Sequence, residues 1–319
     1  MPASVTVVIP CYRVKNHILD LLSRIGPEVS RVWVIDDACP EGSGKWVEQH
    51  CRDPRVTVLH HTVNQGVGAA VMTGYAAAIA EGAQVIVKVD GDGQMDPALI
   101  PHFIAPILKG QADYTKGNRF YDLTHIGQMP GIRLLGNAAL SFMSKLSTGY
   151  WNLFDTTNGF TAIHVKVARR IAFSKVSQRY FFETDLLFRL NIIRAVVVDI
   201  PMDASYGSEK SSLRVGQVLG EFLAKHVRNF GKRVFYNYFL RDMTAASLEL
   251  VCGVMLLLFG LVFGGVHWGH AVSTGVATPL GTIMLAALPT MLGLQMLLAF
   301  VAFDVANVPR RPIHVDLPD

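Results

Sequence analysis

A chain of 319 residues that is 50% hydrophobic and only 17% charged is long enough for one large or two ordinary domains, and too apolar for a typical soluble protein. Its formal net charge of +4 is modest, and no nucleic-acid partner is expected. Cys11, Cys39, Cys51 and Cys252 are scattered without a C-x-x-C pair, which argues against a zinc site or a disulfide framework and for reduced thiols.

The first 200 or so residues alternate short β-branched runs with helical patterns, the signature of an α/β domain with a mainly parallel sheet. Strands are expected at Val5 to Ile9, Arg31 to Asp36, Val56 to His60, Gln84 to Val89 and Ala112 to Lys116. Ser43 is placed to cap a helix running to about Cys51, Gly66 to open another running to Glu81, and Pro97 to sit just inside a third. Ligands of such sheets gather at the carboxyl ends of the strands. Pro10-Cys11-Tyr12, Asp36-Asp37 and Asp90-Gly91-Asp92 all fall there.

The buried run VIVKV leads straight into Asp90-Gly91-Asp92-Gly93-Gln94. Two carboxylates two residues apart point the same way on an extended backbone, and the glycine after each lets a ligand approach the main chain. Oxygen donors of this kind suit Mg²⁺ or Mn²⁺ shared with substrate phosphates, with Asp90, Asp92 and Gln94 as the candidate ligands. Gly66 and Gly68 resemble the start of a dinucleotide fingerprint, but Val71 stands where its third glycine belongs, so a nicotinamide dehydrogenase is a poor reading.

The apolar excess is concentrated near the C-terminus. Leu250 to Val266 and Leu280 to Phe303 carry no charge and are long enough to cross a hydrocarbon core of about 30 Å. Arg228, Lys232, Arg233 and Arg241 precede the first run and Arg310 and Arg311 follow the second, while His267 to Pro279 has no Lys or Arg. The positive-inside rule then predicts a hairpin in the cytoplasmic membrane with both termini cytoplasmic. Val5 to Pro10 is far too short for a signal peptide. Between Val215 and Leu240, apolar residues recur at helical spacing with Lys225, Arg228, Lys232 and Arg233 among them, predicting an amphipathic helix on the membrane surface; the alternative is a helix packed on the soluble domain, and both hold if one face is shared. The expected layout is therefore a catalytic domain over 1–214, a juxtamembrane helix over 215–241, a hairpin over 242–305 with spans near 244–266 and 280–303, and a tail over 306–319.

Six pieces in order resemble glycosyltransferase family two enzymes of GT-A fold, and more narrowly the polyprenyl-phosphate or dolichol-phosphate type. They are Val7-Val8-Ile9-Pro10-Cys11-Tyr12, Val34-Ile35-Asp36-Asp37, Asn64-Gln65-Gly66-Val67-Gly68-Ala69-Ala70, Asp90-Gly91-Asp92-Gly93-Gln94, Lys116-Gly117-Asn118-Arg119-Phe120 and Asp155-Thr156-Thr157-Asn158-Gly159-Phe160. Arg13 and Ala38 depart from the pattern, which often has Asn and Ser there. The resemblance implies a nucleotide-sugar pocket at Pro10, Tyr12, Asp37, Asn64, Gly66, Gly68 and Asp90, and a metal site at Asp90, Asp92 and Gln94 with Asp92 the leading direct ligand. Arg119 and Arg133 are the implied phosphate clamps, since a guanidinium grips phosphate in a two-pronged manner. Ser208, Lys210 and Ser211, in the stretch Tyr206 to Leu213, are candidates to close over the lipid phosphate, a plain linker being the alternative for that stretch, and Asp155, Glu183 and Asp185 are candidates to position sugar hydroxyls or the metal shell.

The activity implied is transfer of one hexose from a UDP- or GDP-linked sugar, UDP-glucose mildly favoured, to a polyprenyl (undecaprenyl) phosphate. The partners are then the nucleotide sugar, the lipid and the bilayer, with a homo-oligomer through the hairpin left open. Two rivals stand beside this reading. A processive polysaccharide synthase would carry a Q-x-x-R-W motif and more spans, neither of which is found, and a non-catalytic nucleotide-sugar-binding scaffold would not require the carboxylates and arginines that are present.

Overall fold

A computed structural model describes residues 3–121, 131–202 and 215–318. The chain divides into two compact units, one formed by Met1–Phe230 with Pro309–Asp319 and the other by Gly231–Val308.

In the first unit the elements run β1 (Val5–Cys11), α1 (Ile18–Ser23), β2 (Arg31–Asp36), α2 (Ser43–His50), β3 (Val56–His60), α3 (Val67–Ala80), β4 (Val85–Lys88), α4 (Ile100–Leu108), β5 (Tyr114–Asn118), α5 (Gly131–Thr148), β6 (Thr161–His164), α6 (Val165–Ala168), α7 (Phe182–Ile192), β7 (Val197–Pro201) and the helix α8 (Val215–Phe235), which continues into the second unit. The seven strands form one sheet in the order β3-β2-β1-β4-β6-β5-β7. All neighbours are parallel except β6, which runs antiparallel to both β4 and β5. The five expected strands are present within a residue or two at their ends, and β6 and β7 are additions to them. Because β1, β2, β3 and β4 run parallel, their carboxyl ends, and the loops that leave them, lie on one edge.

Alternation along β1 assigns its two faces. Val5, Val7 and Ile9 join a core with Val34, Val87, Phe103 and Phe160, whose two phenyl rings stack at 3.9 Å. Val8 faces the other way, towards Gly74 of α3. The tail belongs to this unit too. Asp113, fully buried at the start of β5, accepts hydrogen bonds from the main-chain N–H of Val196, Ile313 and His314 and faces His314 Nδ1 at 2.7 Å, while Lys166 Nζ donates to the Leu317 carbonyl. The chain that follows the last long helix therefore returns to the α/β unit.

The second unit is built on α9 (Ala245–Thr274) and α10 (Leu280–Ala306), of 30 and 27 residues, whose most apolar stretches have mean hydropathies of 2.3 and 1.9. Thr244 and Ser247 form a capping box at the start of α9, and Gly275 at φ 68° ends it. The first of these helices runs eight residues past the expected end at 266, because nothing in the HWGHAVST stretch breaks it. A Cβ on Gly293 would meet the Leu257 amide nitrogen at 2.5 Å, so the two helices touch backbone to backbone there. Their other faces, with Met255, Leu261, Trp268 and Leu280, are exposed, and only 22% and 11% of the most apolar windows are buried. That is the reverse of a soluble-core helix, which buries most of its surface. Between α8 and α9 a π-helical turn spans Tyr236–Arg241. Arg233, counted by sequence among the juxtamembrane charges, is buried instead in a two-pronged pair with Asp304 at 2.6 and 2.9 Å, and Tyr238 donates to the same carboxylate at 2.6 Å.

Candidate active site

The loops that leave β1, β2 and β4 surround a cavity of about 610 Å³ in the first unit. Pro10 and Tyr12 line it from the end of β1, Asp37 from the end of β2, and Asp90, Gly91 and Asp92 from the end of β4. Asn64 and Gly66 line it from the turn that opens α3, and Arg179, Tyr180 and Glu183 from the segment that enters α7. Tyr12 and Tyr180 are the exposed aromatic rings of this cavity.

Each wall has a local cause. Asp36 accepts from the Cys39 and Gly44 amides at 2.7 Å and so fixes the turn into α2. Asp37 accepts from the Gln65 amide at 2.8 Å and the Gly66 amide at 2.7 Å, and lies 2.8 Å from His61 Nδ1. Its carboxylate thus moulds the 64–66 turn as well as lining the cavity. Gly66 has a φ of +99°, and a Cβ there would meet the Gln178 carbonyl at 2.6 Å; one on Gly68 would meet Phe182 Cβ at 2.6 Å. These glycines admit the 177–182 segment against the first turn of α3, where the Ala69 amide donates to the Gln178 carbonyl at 3.2 Å. That contact is what carries Arg179, Tyr180 and Glu183 to the cavity.

Beneath Asp90 lies a buried charge network. Lys88 Nζ, 2% exposed, is 2.7 Å from Asp90 and 3.7 Å from Glu183, and Lys116 Nζ donates to the Asn158 carbonyl. Burial alone would depress the Lys88 ammonium, but Asp90 and Glu183 outweigh it and hold it above the ordinary lysine value. Burial pulls Lys116 down to about 8 and pushes Glu183 up to about 7, against the attraction of the lysines.

The remaining predicted residues fall in three groups. Arg119 and Asp155 are joined at 2.8 and 3.1 Å, and this grip overcomes burial to hold the Asp155 carboxyl below the usual carboxylate range. Asp185 is turned inward: it accepts from the Ser177 amide at 2.9 Å, from Arg189 at 3.1 Å and from Asn229 at 3.0 Å, and does not line the cavity. Gln94 lies off the cavity lining and meets Asp92 through its main-chain amide, which donates to Oδ1 at 3.0 Å. Arg133 lies on α5 with its side chain outside the described residues, as do Ser208, Lys210 and Ser211 altogether. Two cavity residues, Arg179 and Tyr180, were not singled out from sequence, because they sit in an irregular stretch with no periodic signal; Lys88, buried behind the cavity, was not singled out either, although a lysine inside an otherwise apolar strand is a signal.

A mainly parallel sheet of GT-A type with two aspartates just past its fourth strand, lining a cavity at the strand ends, is the arrangement of a glycosyltransferase. The family model described as glycosyl transferase family 2 matches residues 6–172, and the chain belongs to that family. It is 29% identical over 231 residues to an undecaprenyl-phosphate mannosyltransferase of Micrococcus luteus, covering 70% of this chain and 93% of that protein. It is 29% identical over 202 residues to a polyprenol monophosphomannose synthase of Mycolicibacterium smegmatis, covering 61% and 75%. Among solved structures, glucosyl-3-phosphoglycerate synthase of Mycobacterium tuberculosis, in complex with Mn²⁺, UDP and glucosyl-3-phosphoglycerate, shares the fold with a TM-score of 0.55 at 16% identity, over 72% of this chain and 80% of that one.

Proposed function

We propose that this protein is an inverting, metal-dependent hexosyltransferase that moves one sugar from a nucleotide sugar to a polyprenyl phosphate at the cytoplasmic face of a membrane. The observation that carries the reading is one chain that holds both a strand-end cavity with Asp90 and Asp92 and two long helices with outward apolar faces. The acceptor class is supported by the names of the two polyprenyl relatives. A UDP-linked donor is supported by the UDP in the fold neighbour, with glucose favoured from sequence and mannose, from the relatives' names, the other hexose to test. The orientation is supported by the tail, which follows the second span and yet packs within the catalytic unit.

Asp90 and Asp92 fit a hard divalent ion, because two carboxylate residues line one cavity. Among the described residues no three acidic, histidine or cysteine side chains gather into a closed cage, so donor phosphates and water would complete the shell of Mg²⁺ or Mn²⁺. When bound, such an ion would draw charge off the departing diphosphate. The acceptor phosphate oxygen bonds to the anomeric carbon as the bond from that carbon to the donor diphosphate breaks, and the nucleoside diphosphate leaves with the electron pair. A phosphate monoester has a second pKa of about 6 and is already anionic at neutral pH, so no side chain has to act as a base. Asp155 and Asp185 are in any case committed to Arg119, Arg189 and Asn229. Arg13 and Arg179 line the donor cavity and supply positive charge against the diphosphate.

The test is direct. Membranes containing the protein, given undecaprenyl phosphate and labelled UDP- or GDP-sugars, should form a single-sugar charged glycolipid whose formation stops with EDTA. No product from any donor, or a polymer in place of a single addition, would refute the reading.

A further inference from the structure

Lys88 is a buried charge behind the donor cavity, and the reaction as described leaves it without a role. It ends β4 in the middle of the sheet, with Thr161 of β6 as its neighbour across the antiparallel pair. Its ammonium is 2% exposed and does not line the cavity, so it touches no ligand there. What it touches are two carboxylates that do: Asp90 at 2.7 Å and Glu183 at 3.7 Å. The Phe182 ring lies 5.2 Å below it and closes the apolar side. Above the pair sits Gly159, where a Cβ would collide with Lys88 Nζ and Asp90 Oδ2 and stand 3.0 Å from Asp90 Cγ. The Asn-Gly step of the 155–160 motif is thereby explained: it leaves room for an ammonium–carboxylate pair that any side chain would displace.

Two carboxylates that approach one buried ammonium would repel each other without it. Asp90 lies just past the end of β4 and leads into a Gly-Asp-Gly loop, whereas Glu183 is held in the first turn of α7. An aspartate pushed off its place presents its oxygens to the cavity in several orientations instead of one.

Resting on the proposed donor site, we infer that Lys88 is its positioning residue: the buried ammonium pins Asp90 beneath the cavity and offsets Glu183, so that the Asp90–Asp92 pair is preset to receive a divalent ion. Groups that orient a ligand from behind are worth about 10- to 100-fold in metal affinity. The charge, more than the volume, does this.

The experiment uses the full chain in detergent and titrates Mn²⁺ by EPR, with and without UDP, so neither sugar nor lipid acceptor is involved. Lys88→Met and Lys88→Gln should weaken Mn²⁺ binding by at least tenfold, while Lys88→Arg, which keeps the charge, should stay within about threefold of the parent protein. Using both uncharged variants keeps the test available if one of them fails to fold. Equal Mn²⁺ affinity in a folded Lys88→Gln or Lys88→Met protein would overturn the inference and leave the proposed function standing. Equal losses in the arginine and the uncharged variants would also overturn it, since the effect would then be one of shape. If the parent protein binds no Mn²⁺ even with UDP, the inference falls together with the metal dependence on which it rests.

Discussion

Gly68→Ala tests the claim that a glycine pair admits the cavity's third wall. In a helix interior this change ordinarily favours folding by about 1 kcal/mol, because alanine has less backbone freedom to lose. Here the added Cβ would sit 2.6 Å from Phe182 Cβ and closer still to the Ser177 carbonyl, so the segment has to open by at least about 0.8 Å to reach ordinary contact at 3.4 Å. It cannot slide away freely, since the Ser177 amide is held by Asp185 at 2.9 Å and Phe182 is buried. Overpacking of this kind costs about 1–3 kcal/mol, which reverses the sign expected from helix propensity. Displacement of Arg179, Tyr180 and Glu183 by nearly 1 Å should lower transfer on the order of 100-fold. Thermal unfolding in detergent reads the first effect and initial rates at saturating acceptor read the second. Gly220→Ala is the control, because nothing lies within 4 Å of its Cβ position. If Gly68→Ala proved as stable and as active as that control, the packing argument would be refuted.

Three further outcomes follow from the same structure. Asp155→Asn removes the carboxylate that grips Arg119 at 2.8 and 3.1 Å; transfer should fall at least tenfold with a stability loss of about 1–3 kcal/mol, measured by rates and thermal unfolding. Asp304→Asn leaves the buried Arg233 guanidinium without its charge partner and should cost about 3–5 kcal/mol, seen as a lower unfolding temperature, while replacement of both residues by apolar ones should cost less. Burial pushes the His226 imidazole down from 6.5 to about 4, so its neutral form is the folded one; this contribution is complete above pH 6.5, is lost as pH falls towards 4 at about 1 kcal/mol per unit, and should flatten in His226→Gln in unfolding scans from pH 7.5 to 4.5.

How much of this could be read from sequence follows from whether a feature is local. The strands β1 to β4 alternate or run apolar over short stretches bounded by turn residues, and their ends bring Tyr12, Asp37, Asp90 and Asp92 to one edge as expected. The two long helices were legible because an uncharged run is a local property. The strands β6 and β7 were not, because Thr161–His164 holds only Ala162 and Ile163 between polar ends and β7 carries Asp199 in its middle. Side-chain direction was the other gap. Glu183 and Asp185, two residues apart at the start of α7, look interchangeable in sequence, yet the helical turn sends one to the cavity and the other to Arg189 and Asn229. The same holds for Arg233, whose partner lies 71 residues away.

The two departures from the family pattern share one backbone property. Arg13 and Ala38 leave the ends of β1 and β2 in the left-handed region, at φ 57° and 52°. This conformation costs an ordinary side chain about 1 kcal/mol or more and suits Asn, the residue the family often has at the first position. Cross-loop bonds hold the geometry in place: the Arg13 amide donates to Cys39 Sγ at 3.1 Å and the Asp37 amide to the Cys11 carbonyl at 3.2 Å. The turn is therefore set by the fold and not by residue 13, which frees that position to carry something else. What it carries is a guanidinium that lines the donor cavity and lies 5.4 Å from the Tyr12 ring. An asparagine would ease the strain and lose the charge. Under the proposed donor reading the strain has a purpose, because a cavity lined by Asp37, Asp90, Asp92 and Glu183 would need a positive charge to admit a diphosphate.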